Sequence, residues 1–191
     1  MSSTGDFDKE VEKHELPPRI WTIGHSKLPS DELIQALKAY GIDLVADVRR
    51  FPNSRSNPQF NQDELARQLL ASGIGYVHFP DLGGRRRPRP DSVNTVWKNR
   101  SFQGYADYME SADFKSAIGR LLDSAAGHNV ALMCAEAVWW RCHRRLISDY
   151  LVALGIEVIN ILSGPGSKRG SKRHVLTPGA KVVEGKVSYA D

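Results

Sequence analysis

The chain has 191 residues, of which 41% are hydrophobic and 25% charged, with a net charge of +4 and a pI near 9.1. That is enough apolar material for one domain with its own core, and two cysteines exclude a disulfide-built scaffold. No apolar run approaches the roughly 18–20 residues that span a bilayer, and the mild basicity permits an anionic partner without requiring one.

In chain order, residues 1–18 are polar, lack the apolar stretch of a signal peptide and end at Pro17 and Pro18, so they read as a disordered lead-in. With the sparse cysteines this predicts a cytoplasmic protein with no membrane attachment. "RIWTIGH" is a first strand. "LPSDELIQALKAYG" follows as a helix, with Ser30 placed to cap it, Asp31 and Glu32 in its first turn and Gly41 to stop it. "IDLVADV" is a buried strand, and "FNQDELARQLLASG" a second helix with Asn61 and Glu64 at capping-box spacing. "IGYVHFP" is a third strand. Residues 81–102 are long, basic and rich in Pro and Gly, which predicts a loop or lid. "QGYADYMES" and "ADFKSAIGRLLDSAAGH" are helical, "NVALMCA" is a fourth strand, "RCHRRLISDYLVALG" a helix and "IEVINIL" a fifth strand. The remainder reads as loop with a small hairpin around Glu184-Gly185.

Short buried strands alternating with helices predict a single α/β domain over residues 19–163. Its sheet is open and mostly parallel, of about five strands flanked by helices in a Rossmann-like or flavodoxin-like layering, with a basic C-terminal tail over residues 164–191.

In such sheets ligands bind beyond the carboxyl ends of the strands. Those ends carry His25 and Ser26, then Asp47, Arg49 and Ser54, then Gly83 and Gly84 before an arginine run, then Cys134 and Glu136. Their convergence predicts a polar, positively biased pocket. "TIGHS", "DVR" followed by "FPNSR", "LGG", "CAE" and "CHRR", in that order, resemble the DUF488 family of small bacterial and archaeal proteins, over about Ile20 to Leu162. The resemblance implies an α/β fold and a site built from those motifs. It names no activity, although a nucleic-acid or DNA-repair role is loosely associated with the family.

"MCAEAVWWRCHRRL" gathers the chemistry. Cys142, at the start of a predicted helix and flanked by arginines, is favoured as a thiolate, so Cys142 or Cys134 is a candidate nucleophile and Glu136 or His143 a candidate acid or base. The plainer readings are a core cysteine for Cys134 and a salt bridge from Glu136 to Arg144 or Arg49. Arg49, Arg144 and Arg85 are expected to hold an anion, most simply phosphate, with His25, Ser26, Asp47, Ser54, Gly83 and Gly84 around it. The pair Asp47 and Arg49 points to one side of its strand, as either a structural ion pair or a substrate-orienting one.

Arg85, Arg86, Arg87 and Arg89 with Trp97, and Lys168, Arg169, Lys172 and Arg173 in the tail, form basic loops that suit nucleic acid; the plainer reading is a solvated basic surface. Cys134, Cys142, His143 and His25 match no zinc-ligand spacing, and no phosphate-binding glycine motif occurs, so neither metal nor cofactor is predicted. The expectation is an enzyme acting on nucleic acid or a nucleotide-like phosphorylated substrate. Two rivals stand beside it: a non-catalytic nucleic-acid-binding module, and a thiol redox enzyme or sensor using Cys134 and Cys142.

Overall fold

The computed structural model describes residues 19–163, 170–183 and 185–190. Its strands are β1 (Arg19–Gly24), β2 (Leu44–Asp47), β3 (Gly75–His78), β4 (Val130–Cys134), β5 (Glu157–Leu162), β6 (Gly170–Arg173), β7 (Lys181–Val183) and β8 (Lys186–Ser188). Its helices are α1 (Ser30–Ala39), α2 (Gln62–Ala71), α3 (Arg100–Met109), α4 (Ala112–Ala125) and α5 (Arg144–Ala153). None of the described helices is long and apolar enough to cross a membrane.

The main sheet runs β3-β2-β4-β1-β5-β6. Its first five strands are parallel, and β6 pairs antiparallel on the outer edge of β5. The protein is thus a single open α/β sheet flanked by helices, and both faces are covered. Alternation along each strand assigns the faces. Trp21, Ile23 and Val45 pack with Leu33 and Leu37 of α1 and Leu65 and Leu69 of α2. Ile20, Leu44, Ala46 and Val158 point the other way, onto Tyr105, Phe114, Leu121, Leu146 and Leu151 of α3, α4 and α5. Each such buried apolar side chain is worth about 1.5–3 kcal/mol.

The strand order places the site. From β1 the chain leaves through α1 toward β2, across one face; from the adjacent β4 it leaves through α5 toward β5, across the other. Where neighbouring strands send their connections in opposite directions, a crevice opens between their carboxyl ends. Here it lies between Gly24-His25 and Cys134-Ala135, with Asp47-Arg49 beside them.

Several local expectations are revised. Pro29, not Ser30, occupies the N-cap position of α1. Asn61 does stand at the N-cap of α2, but its side chain accepts from the Ser54 backbone N–H at 2.7 Å instead of capping, which ties the 51–57 loop to the helix. The helix expected from Arg141 begins at Arg144. Residues 139–141 make a separate 3-10 turn and Cys142 is extended, because the chain must cross the crevice before it turns into α5.

The expected 81–102 loop is shorter, since residues 80–82 make a 3-10 turn and α3 starts at Arg100, and it is fastened: Asp107 accepts from the Arg89 N–H, the Ser92 hydroxyl and the Asn94 amide. Within the segment expected as a tail, residues 170–183 and 185–190 are built into the domain, and the hairpin expected there is present. β6 extends the sheet, β7 and β8 form a hairpin, and Tyr189 is fully buried, with its hydroxyl donating to Asp149 at 2.7 Å. Lys168 and Arg169 lie outside the described residues.

Candidate functional site

Cys134 ends β4, Cys142 lies just before α5, and His143 takes the N-cap position of that helix. The two sulfurs and an imidazole nitrogen lie within 4.8 Å of one another, with Cys142 Sγ 3.5 Å from His143 Nδ1. His143 Nε2 donates to the Val48 carbonyl at 3.0 Å, which leaves the Nδ1 lone pair facing the sulfur. Gly84 closes over the ring: a Cβ there would sit 2.9 Å from Nδ1, so the bare backbone is what permits the approach. Both cysteines are free and only 8% and 4% exposed, yet both line a cleft of about 460 Å³.

Beside this centre lies Arg144, which is fully buried. Its guanidinium donates to Thr22 Oγ1 at 3.3 Å and to the Glu136 carbonyl, and its Nε has no partner. Among the described residues it forms no ion pair with a carboxylate. A buried cation left uncompensated is costly, and its field favours an anion nearby. Burial pushes the Cys142 thiol up, but the neighbouring Cys134 thiol, the His143 imidazole and Arg144 outweigh burial and hold Cys142 well below the ordinary thiol range. The Cys134 thiol moves the other way, raised by Cys142 beside it and by burial. Cys142 is therefore the more acidic thiol of the pair.

Asp47, Arg49 and His25 make a second polar centre nearby, and it is densely hydrogen-bonded within the protein. The Asp47 carboxylate, fully buried, accepts from Arg49 N–H at 3.0 Å, from the guanidinium at 2.6 Å and from the Tyr76 hydroxyl at 2.7 Å. The remaining Arg49 nitrogen donates to the Phe60 carbonyl at 2.8 Å and meets His25 Nε2 at 3.2 Å. His25 Nδ1 donates to the Ser26 carbonyl, and its ring stacks on Phe60 at 4.0 Å. Burial and the Arg49 charge lower its pKa to about 4, so the ring is neutral at pH 7. Asp47 and Arg49 thus form a buried ion pair, with most of the guanidinium N–H groups placed on protein acceptors.

The cations that do face the cleft are Arg50, Arg85 and Arg141. Of the expected anion holders, Arg85 is on this wall; Arg49 lines it with its charge already paired, and Arg144 lies beneath it. Glu136 makes neither expected salt bridge. Its exposed carboxylate accepts from the Val138 N–H at 3.2 Å.

Within the basic loop, Arg86 donates to the Gly83 and Asp81 carbonyls and lies 3.6 Å over the Tyr108 ring, and Arg89 pairs with Glu110 at 2.7 Å. Arg85 and Arg87 remain exposed. Trp97 packs against Phe102 and Tyr189, inside the fold instead of on a stacking surface. Lys172 and Arg173 project from the edge strand β6, away from the cleft lining, with Arg173 3.5 Å from Glu157. Gly83 packs on Arg50, while Ser26 and Ser54 line a neighbouring cavity of about 280 Å³.

Arg50 and Phe51 were not singled out from the sequence, and Arg141 was expected only to favour the Cys142 thiolate. Arg50 and Phe51 directly follow the "DVR" motif, and that adjacency was the available signal. Cys134, Cys142 and His143 are also the one trio among the described residues with metal-ligand spacing; three donors on their own do not complete a closed tetrahedral site.

Comparison with known proteins yields one match. The family described as "Domain of unknown function DUF488" matches residues 29–151, and the chain belongs to that family. No curated protein and no solved structure matches.

Proposed function

We propose that this protein is a cysteine-dependent enzyme that uses Cys142 as a nucleophile against an anionic substrate bound in the basic cleft. The observation that carries this reading is the 3.5 Å contact between Cys142 Sγ and His143 Nδ1, on an imidazole whose other nitrogen is locked to a backbone carbonyl. A nucleophile held by a base, itself oriented by a third group, is the recurring arrangement of covalent catalysis. The Cys142 proton passes to Nδ1. The sulfur bonds to the electrophilic atom, and the leaving group departs with its electron pair, taking that proton. Water then cleaves the sulfur bond, adding hydroxyl to the substrate and returning hydrogen to sulfur. Arg50, Arg85 and Arg141 supply the field that holds the anion and offsets charge developing in the transition state.

The nearness of Cys134 favours one second reading, thiol–disulfide exchange. For that the sulfurs close from within 4.8 Å to about 2.05 Å. The reading of the arginine loop as a nucleic-acid surface in its own right has less support, because Arg86 and Arg89 are already bound to partners.

The test is alkylation of the native protein with iodoacetamide in the presence of EDTA, across pH 5–10, with the modified residue located by mass spectrometry. Cys142 is expected to react with a midpoint below that of free cysteine, and His143→Ala to move that midpoint up. A midpoint at the ordinary thiol value, unmoved by His143→Ala, overturns the reading. Formation of a Cys134–Cys142 disulfide on mild oxidation, without turnover in any covalent assay, moves the function to the redox reading.

A further inference from the structure

We infer that the cleft above Cys142 is half of a two-chambered nucleotide site, in which Phe51 is the platform for the base and Arg50, Arg85 and Arg141 hold the phosphate. The inference rests on the reading of that cleft as the substrate site and adds the class of molecule it takes.

The second chamber is the cavity of about 280 Å³, which shares Arg49, Phe51, Ala135 and Glu136 with the first as a common wall. Phe51 stands on that wall with 65% of its surface exposed. A single exposed aromatic needs no explanation by itself. This one is presented by anchored backbone, between Arg49, which the Asp47 brace immobilises, and Pro52, which is buried. The Arg50 guanidinium lies 5.6 Å from its ring, so a cation and a flat apolar face stand side by side.

The chambers differ in chemistry. Among the described residues, the first holds three arginines not paired to carboxylates, with Glu136 as the one acid on its wall. The second carries Lys27, which donates, and the amides of Asn53 and Asn57, which donate and accept as the edge of a base requires. A phosphate suits the first, hydrogen-bonding edges suit the second, and a planar ring between them suits Phe51.

The backbone supports the pairing of the chambers. Among the described residues, two that are not glycine adopt left-handed backbone: Ser26 with φ 47° and Arg85 with φ 61°. Ser26 lines the second chamber and Arg85 the first. Such conformations persist where the surroundings enforce them, and they concentrate at binding sites. Their division, one to each chamber, indicates that both chambers belong to one site.

The experiment is titration calorimetry on the full chain carrying Cys142→Ser, so that binding is read without thiol reactivity. The probes are adenosine 5′-monophosphate, adenosine, ribose 5-phosphate, inorganic phosphate and a short single-stranded deoxyoligonucleotide. The base-bearing phosphates are expected to bind at least tenfold tighter than ribose 5-phosphate. Phe51→Ala is expected to remove roughly that factor, and Phe51→Tyr to keep it. An oligonucleotide tighter than the mononucleotide identifies a strand as the source of the nucleotide; equal affinity identifies the free nucleotide. Ribose 5-phosphate binding as tightly as the nucleotide, or Phe51→Ala binding as the parent does, overturns the inference. Failure of the thiol reading would leave these affinities in place, and their failure would leave Cys142 alkylation in place, so the two are separable.

Discussion

Two polar centres stand next to each other beyond the strand ends, and they are finished to opposite degrees. In the Asp47–Arg49–His25 centre the donors and acceptors meet inside the protein, and both ionic partners are buried. In the Cys134–Cys142–His143 centre a cation is buried without a carboxylate, one guanidinium nitrogen has no partner, and the sulfurs look into an open cleft. Both are made of residue types associated with catalysis. Internal pairing makes the first a brace, since a charge neutralised by a buried partner exerts little net field on a ligand. On the proposed function, incompleteness makes the second the reactive one, because its uncompensated field acts on whatever enters.

The largest effect that separates them is on stability. Asp47→Ala strands the buried Arg49 guanidinium and is expected to cost about 3–5 kcal/mol, read from the urea midpoint. A loss below about 1 kcal/mol would mean that this centre is not the brace. Next is acid sensitivity. His25 titrates at about 4 in the fold against 6.5 unfolded, so between those values the unfolded chain binds more protons and stability falls as pH falls. From pH 7 to pH 4 this amounts to roughly 3 kcal/mol, and His25→Gln should flatten that part of the curve.

The reactive centre should show the reverse profile. His143→Ala is expected to raise the pH at which Cys142 alkylates, while leaving the acid limb of the stability curve to His25. The smallest stability change belongs to Cys142→Ser, expected within about 1 kcal/mol of the parent because a near-isosteric swap at the cleft floor opens no cavity. It should nonetheless remove all labelling at that position. A stability loss like that of Asp47→Ala would erase the contrast between the centres.

How far each part could be read from the chain follows the same physics. The strands and helices were legible because burial on both faces leaves continuous apolar runs, as in "NVALMCA", and amphipathic helices leave a 3.6-residue period. The convergence of His25, Asp47, Cys134 and Glu136 at strand ends was legible once the sheet was taken as parallel. Less legible was the fate of each charge. Arg144 and Arg141 are equally basic in sequence, yet one is fully buried and the other lines the cleft. The hairpin of β7 and β8 was legible from Glu184-Gly185 in the sequence, but β6 was read as tail because it is short and polar; it is an edge strand, paired on one side only, and needs no apolar run.

By itself, then, the sequence determined the fold class, the family and the cluster of thiols, imidazole and arginines around one crevice. These depend on local pattern and residue type, which survive in one dimension. Only the tertiary structure decided which of those groups spend their hydrogen bonds on the protein and which keep them for a ligand. That choice turns on donors and acceptors far apart in the chain, such as Arg49 with Phe60, His143 with Val48 and Arg144 with Thr22. Packing alone sets those distances.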